Sequence, residues 1–167
     1  LAFGTLGLGI TEFVMMGILT DVATNLNINI ETAGHLISAY ALGVCFGAPI
    51  LILARKRPLK QILLALVSIM IIGNLAATFA PNYSTLLIAR FFSGLPHGAY
   101  FGVGSIVASS LAPEGKKSLA VAIMIAGMTV ANLIGVPLGT LMSLHFSWRI
   151  IFFFVAVWGV WVFYSIW

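Results

Sequence analysis

Two side chains in this sequence stand where a hydrocarbon solvent would reject them: Glu12, near the middle of one apolar run, and Arg90, inside another. A charged group at the centre of a bilayer costs at least ~2.5 kcal/mol. Glu12 must therefore be neutral, paired or hydrated, and an acid in that position can load and release a proton. At helical spacing it shares a face with Thr5, Leu8, Met15, Met16 and Leu19, adaptable side chains suited to a varied organic cargo. The plainer reading is a packing glutamate bonded to a neighbouring hydroxyl or amide. Arg90 cannot shed its charge and needs an acceptor or water. Arg90, Gly94, His97, Phe101 and Gly104 fall on one helical stripe with Ser93 at its edge, the most polar face in the chain. His97 can titrate and pass protons, or rest as a neutral histidine bonded to backbone; Arg90 can equally brace a neighbouring helix.

Around these lie weaker candidates. Tyr40 shares a face with Gly43 and Gly47 and can offer its hydroxyl to a cavity; Asn74 and Asn132 are amides at membrane depth, suited to a ligand or to another helix. Gly127, Ala131, Gly135 and Gly139 recur every four residues, a track that lets another backbone come close. Cys45 is read as a small packing residue, His35 and His145 as solvated, and Trp148 as an interfacial anchor beside Arg149.

The elements that must hold these groups follow from composition. Of 167 residues, 61% are hydrophobic and 7% charged, with a mean hydropathy of +1.13, and no soluble domain of this size hides so much apolar surface. Six stretches approach the roughly 20 residues a bilayer core demands: about Ala2 to Ala23, Thr32 to Ala54, Leu59 to Ala80, Thr85 to Leu111, Ser118 to Leu144 and Trp148 to Trp167. The expected fold is an all-α membrane bundle of six spans, with short turns making consecutive helices antiparallel neighbours. Arg55, Lys56, Arg57 and Lys60 cluster in one connection and Lys116 and Lys117 in another, which places those loops and the N-terminal side in the cytoplasm. The net charge of +4 is thus topology rather than a nucleic-acid surface. A chain beginning at Leu1 and stopping at Trp167 with no polar tail reads as a segment of a longer one.

Gly43, Gly47 and Pro49 in the second span match Ala131, Gly135 and Pro137 in the fifth, an offset of about half the chain. Three helices per copy would insert the second unit (85–167) inverted relative to the first (1–80), as in secondary transporters. Enzymatic readings fare poorly. No phosphate loop, nucleotide fingerprint or metal ligand set is present, and a Ser105–His97 pair would lie two turns apart on one helix, pointing partly different ways.

These residues, in order along the whole chain, resemble the N-terminal six-helix half of the major facilitator superfamily, closest to its drug and sugar efflux branch of arabinose-efflux-permease-like proteins. The matching stretches are Thr11-Glu12-Phe13, Ala33-Gly34-His35, Tyr40-Ala41-Leu42-Gly43, Gly73-Asn74, His97-Gly98, Ala131-Asn132, Gly135-Val136-Pro137-Leu138-Gly139 and Ser147-Trp148-Arg149. The resemblance implies a twelve-helix, multi-pass protein of the bacterial cytoplasmic membrane whose two bundles rock about a cavity, exporting sugars or drug-like molecules in exchange for protons, with no cofactor. It implies a proton-coupling and cargo cavity at Glu12, Arg90, His97, Met16, Tyr40, Asn74 and Asn132, and an antiporter motif at Gly127, Gly135, Pro137 and Gly139. The loop motif departs from the family: Arg55 stands where an acid is usual and Pro58 where a glycine is, leaving the basic cluster without its charge lock. The expected partners are small-molecule cargo, protons, the bilayer and the missing C-terminal half. The rival reading is a six-helix module that binds a partner subunit and transports nothing itself.

Overall fold

The computed structural model describes residues 1–54 and 56–167, with residues 50–53 as backbone only; Arg55 lies outside the described residues. Six helices follow one another: α1 (Ala2–Asn25), α2 (Ile30–Ala54), α3 (Leu59–Thr78), α4 (Tyr83–Leu111), α5 (Lys117–His145) and α6 (Trp148–Ile166). The spans read from hydropathy coincide with them to within a few residues. The helix starts differ because caps, not apolarity, set them: α4 begins at Tyr83, where Asn82 accepts from the Thr85 amide at 3.0 Å and the Thr85 hydroxyl faces back to the Asn82 amide. Gly115 turns the α4–α5 connection at φ 78°, a left-handed conformation that glycine adopts without strain.

Among the described residues, four helices are both long and apolar enough to cross a membrane: α1, α3, α5 and α6. α2 and α4 have the length, at 25 and 29 residues, and carry the polar residues Tyr40, Arg90, Ser93 and His97, all turned inward.

Consecutive helices touch, α3 and α4 extensively, and broad contacts also join helices apart in sequence: α1 lies on α5, α2 on α4, and α3 on α6 as well as on α4. Glycine explains the choice. A Cβ at Gly9 would stand 2.6 Å from the Ala131 Cβ, one at Gly17 2.5 Å from the Val136 carbonyl, and one at Gly139 2.7 Å from Val14. These contacts advance along both helices together, so α1 and α5 run parallel. In α2 and α4 the same holds: Gly43 abuts Gly94, Gly47 abuts Leu95, and a Cβ at Gly98 would stand 2.7 Å from the Val44 carbonyl. Two parallel, glycine-stitched pairs are thus bridged by the antiparallel α3/α6 pair, in which Gly159 meets Met70 and Ile71. Without a hydrophobic force between helices in lipid, such close backbone approach supplies the dispersion that holds them. Gly94→Val would drive a branched side chain into the Tyr40 carbonyl, whereas Gly34 has nothing within 4 Å of a Cβ. We expect Gly94→Val to cost about 1–3 kcal/mol, read as a lowered melting temperature in detergent, and Gly34→Ala to leave it unchanged.

The apolar core divides into two layers. Toward one end Val14, Met15, Ile18, Leu36, Leu86 and Phe152 pack together; toward the other, Leu8, Leu63, Leu66, Met70, Tyr100 and Val103 do. Between the layers lie the buried polar residues Thr11, Tyr40, Asn74, Arg90 and His97 of α1 to α4, with Arg90 and His97 about two turns apart along α4. α6 is clamped across one end of the bundle by the Ser147-Trp148-Arg149 stretch. The Trp148 indole and the Arg149 guanidinium both donate to the Asn25 side chain, at 3.3 and 2.7 Å, and Arg149 also donates to the Ala80 carbonyl at 3.0 Å. Trp148 is 2% exposed, a buried clamp rather than the interfacial anchor expected of it. Cys45, expected to pack, is exposed.

Candidate functional site

The polar layer is organised around Thr11. α1 brings its carbonyl and hydroxyl together with the neighbouring Glu12, because residues one apart point along adjacent flanks of a helix. Arg90, wholly buried on α4, donates from Nη1 to the Thr11 carbonyl at 2.7 Å and from Nε to the Leu36 carbonyl at 3.5 Å. Its guanidinium carbon lies 4.4 Å from the centre of the Tyr40 ring and 5.7 Å from that of Phe152, so aromatic faces supply part of what water would. No carboxylate forms a salt bridge with it among the described residues, and Nη2 has no hydrogen-bond partner. Asn74, on α3, donates to the Met70 carbonyl at 2.8 Å and to the Thr11 hydroxyl at 3.4 Å, leaving its Oδ1 unpartnered. Thr11 in turn donates to the Gly7 carbonyl at 2.8 Å. One orphan donor and one orphan acceptor thus flank the same threonine in a layer otherwise satisfied.

The second half of the cluster surrounds His97. Its Nδ1 stands 2.9 Å from the Tyr40 hydroxyl and 3.5 Å from Glu12 Oε2, and its ring stacks on Phe101 at 5.3 Å. The Tyr40 hydroxyl is also 3.2 Å from the Leu8 carbonyl. Burial is graded across the group. Arg90 and Tyr40 are sealed, His97 is 6% exposed, and the Glu12 side chain, 30% exposed, opens onto the surface of the bundle. An accessible acid is therefore linked through a histidine and a phenol to a sealed cation.

Several expectations need correcting. Arg90, Tyr40 and Asn74 do not line an opening; all are buried in helix contacts, because carbonyls and ring faces of α1, α2 and α6 serve where a wet cavity was expected. The face assigned to Glu12 is split: Thr5, Leu8 and Met15 are buried against neighbours while Met16 is 52% exposed. The Thr5 hydroxyl reaches the Met124 carbonyl at 2.5 Å, tying α1 to α5. Asn132 is exposed, one residue from the Ala131 that meets Gly9. Gly127, Gly135 and Gly139 turn toward α1, and Pro137 is exposed. Lys56, Arg57 and Lys60 are exposed as a loop cluster should be, with Lys60 donating to the Trp167 carbonyl. His35 lies at the surface as expected, its Nδ1 3.2 Å from the Tyr83 hydroxyl, and His145 is exposed. Sequence reasoning missed Thr11, whose only signal was its place beside Glu12, and the carbonyls of Leu8 and Leu36, for which a sequence carries none.

A helical bundle that buries an arginine and half-opens an acid keeps groups that lipid would reject, and such groups mark a functional site in a membrane protein. The chain belongs to the Major Facilitator Superfamily, which it matches over residues 1–167. It is 53% identical over 167 residues to the putative transporter AraJ of Escherichia coli (strain K12), covering 99% of this chain and 42% of that protein. It is 44% identical to the inner membrane transport protein YdhP of the same organism, over 96% of this chain and 41% of that one. With the chloramphenicol resistance protein of Streptomyces lividans it shares 32% over 158 residues, 94% of this chain and 40% of that protein. The chain thus spans about two-fifths of the length of these relatives, and the family and the names of the first two point to transporters rather than enzymes. Among the described residues no group of three His, Cys, Asp or Glu is placed to hold a metal ion.

Proposed function

We propose that this chain is the N-terminal bundle of a proton-coupled antiporter that exports sugars or small drug-like molecules by alternating access. The observation that carries the reading is the gradient of exposure from Glu12 through His97 and Tyr40 to Arg90. An acid open to water on one side and joined to a buried cation on the other can trade a proton for a cargo, each favouring one facing of the protein. Half-exposed Glu12 and exposed Met16 and Asn132 are the groups that would meet cargo; Arg90 and Asn74 set the field and geometry behind them. A chloramphenicol resistance protein and a probable sugar efflux transporter of Mannheimia succiniciproducens stand among the relatives, which supports export while leaving the two cargo classes open.

The packing supports an inverted repeat. α1 on α5 and α4 on α2 are the same parallel, glycine-stitched contact, with Gly9 against Ala131 in one and Gly94 against Gly43 in the other. Three residues beyond Gly9 and Gly94 stand Glu12 and His97, which meet each other, as residues near a pseudo-two-fold axis would. On this reading 1–80 and 85–167 are the two three-helix units, a second bundle completes twelve helices, and the exposed basic loops at Lys56, Arg57, Lys60, Lys116 and Lys117 face the cytoplasm of a bacterial inner membrane. Glycines of the α5 motif belong to the α1 contact, so closure between bundles would be felt directly at Glu12. The test is export by the full-length protein in inverted vesicles energised by a proton gradient. We expect collapse of the gradient by a protonophore to stop accumulation; accumulation that persists would overturn proton coupling.

A further inference from the structure

We propose that Tyr40 is a positioning residue that reads the proton on Glu12 through the tautomer of His97 and reports it to the contact between α1 and α2. The inference rests on the proton-coupled reading above and names the side chains that would regulate it.

One atom of the cluster is shared. His97 Nδ1 has two neighbours, the Tyr40 hydroxyl at 2.9 Å and Glu12 Oε2 at 3.5 Å, and the Tyr40 hydroxyl has a second acceptor, the Leu8 carbonyl at 3.2 Å. A neutral imidazole nitrogen is either a bare acceptor or an N–H donor, and a phenol has one hydrogen to give. Two patterns therefore exclude each other. With Glu12 ionised, the carboxylate selects Nδ1–H; Nδ1 can then accept nothing, and the Tyr40 hydrogen goes to the Leu8 carbonyl. With Glu12 protonated, Nδ1 is bare and accepts from Tyr40, the nearer of its two neighbours, and the Leu8 carbonyl loses its side-chain donor while keeping its helical one. In passing between them, the proton leaving Glu12 arrives on Nδ1 while one leaves Nε2 for water, so the histidine ends neutral and the net change is the single proton of Glu12.

The consequence is mechanical because of where the Leu8 bond lies. α2 is stitched to α4, and α1 to α5, by glycine contacts that do not involve protons. The Tyr40–Leu8 bond crosses from one pair to the other, so its loss slackens the seam between them while each pair stays intact. The ionisable groups facing Tyr40 are Glu12 from α1 and His97 and Arg90 from α4, the last over the ring face at 4.4 Å in both patterns; α3 brings only the uncharged Asn74 to this layer. Nothing else in the neighbourhood competes for the phenol hydrogen among the described residues.

The experiment is nitrogen NMR of the full-length protein labelled with ¹⁵N-histidine, with the His97 signals assigned by their loss in His97→Gln. We expect Nδ1 to be the protonated nitrogen at high pH and Nε2 at low pH, and Glu12→Gln to hold the Nε2–H form throughout. A tautomer that does not change, or that titrates identically in Glu12→Gln, overturns the proposal even where export remains proton-driven. Export that ignores the proton gradient while the tautomer still changes sinks the transport reading instead. In Tyr40→Phe the tautomer change should survive while the pH profile of export flattens; a wild-type profile in that variant removes Tyr40 as the reporter. Should Tyr40→Phe fail to fold, the Glu12→Gln comparison alone still decides.

Discussion

Arg90→Leu is expected to yield a full-length protein as stable as the wild type, or more stable by about 1–4 kcal/mol, that no longer exports cargo. The expectation runs against the usual view of a buried arginine as a brace, and the geometry supports it. The acceptors of Arg90 are the Thr11 and Leu36 carbonyls, both inside helices, where each already receives the amide four residues on. Removing the guanidinium orphans neither of them. It does remove an unsatisfied Nη2 and a buried charge with no carboxylate salt bridge among the described residues, and puts leucine against Tyr40, Phe152 and the apolar layer of Leu86 and Ala89. A cluster built for stability would not be improved by losing its largest member; one kept for function would be. Melting of the purified variant and export in vesicles, measured on one preparation, check both halves. A destabilised variant would return Arg90 to a structural role.

Glu12→Gln has the other large expected effect. Glutamine preserves shape and, through its amide N–H, a contact with His97, but cannot ionise. A group that charges at this depth biases the two facings by at least ~2.5 kcal/mol, so its loss removes a bias of roughly sixtyfold. Gradient-driven accumulation should collapse accordingly. Exchange of labelled for unlabelled cargo, which needs no net proton movement, should persist, because the wall around Glu12 is unchanged in volume. Collapse of both would point to a binding role; survival of both would remove Glu12 from the mechanism.

Much of the fold was legible because membrane chains announce their helices by hydropathy: six apolar runs gave six helices to within a few residues. The partners of each helix were less legible. Short turns suggested that consecutive helices pack, as α3 and α4 do, but Gly9, Gly43, Gly94 and Gly139 also seat α1 on α5 and α2 on α4; a glycine says that something comes close, and not what. Glu12, His97, Tyr40, Asn74 and Arg90 could be picked out by type, since each is costly at membrane depth, and the structure gathers them in one layer. Which were wet and which sealed could not be read, because Arg90 is satisfied by carbonyls and ring faces that no side-chain pattern records. Asn132 and Met16 share that difficulty in reverse: both looked like partners of the cluster, and both face outward.

The measurement closest to the centre of the account is proton release on cargo binding, followed with a pH-sensitive dye in weakly buffered detergent solution of the purified full-length protein. Cargo should displace protons from the wild type and none from Glu12→Gln, with Arg90→Leu stable enough to be compared in the same assay. Equal release from the wild type and Glu12→Gln would contradict the claim that this acid carries the exchanged proton.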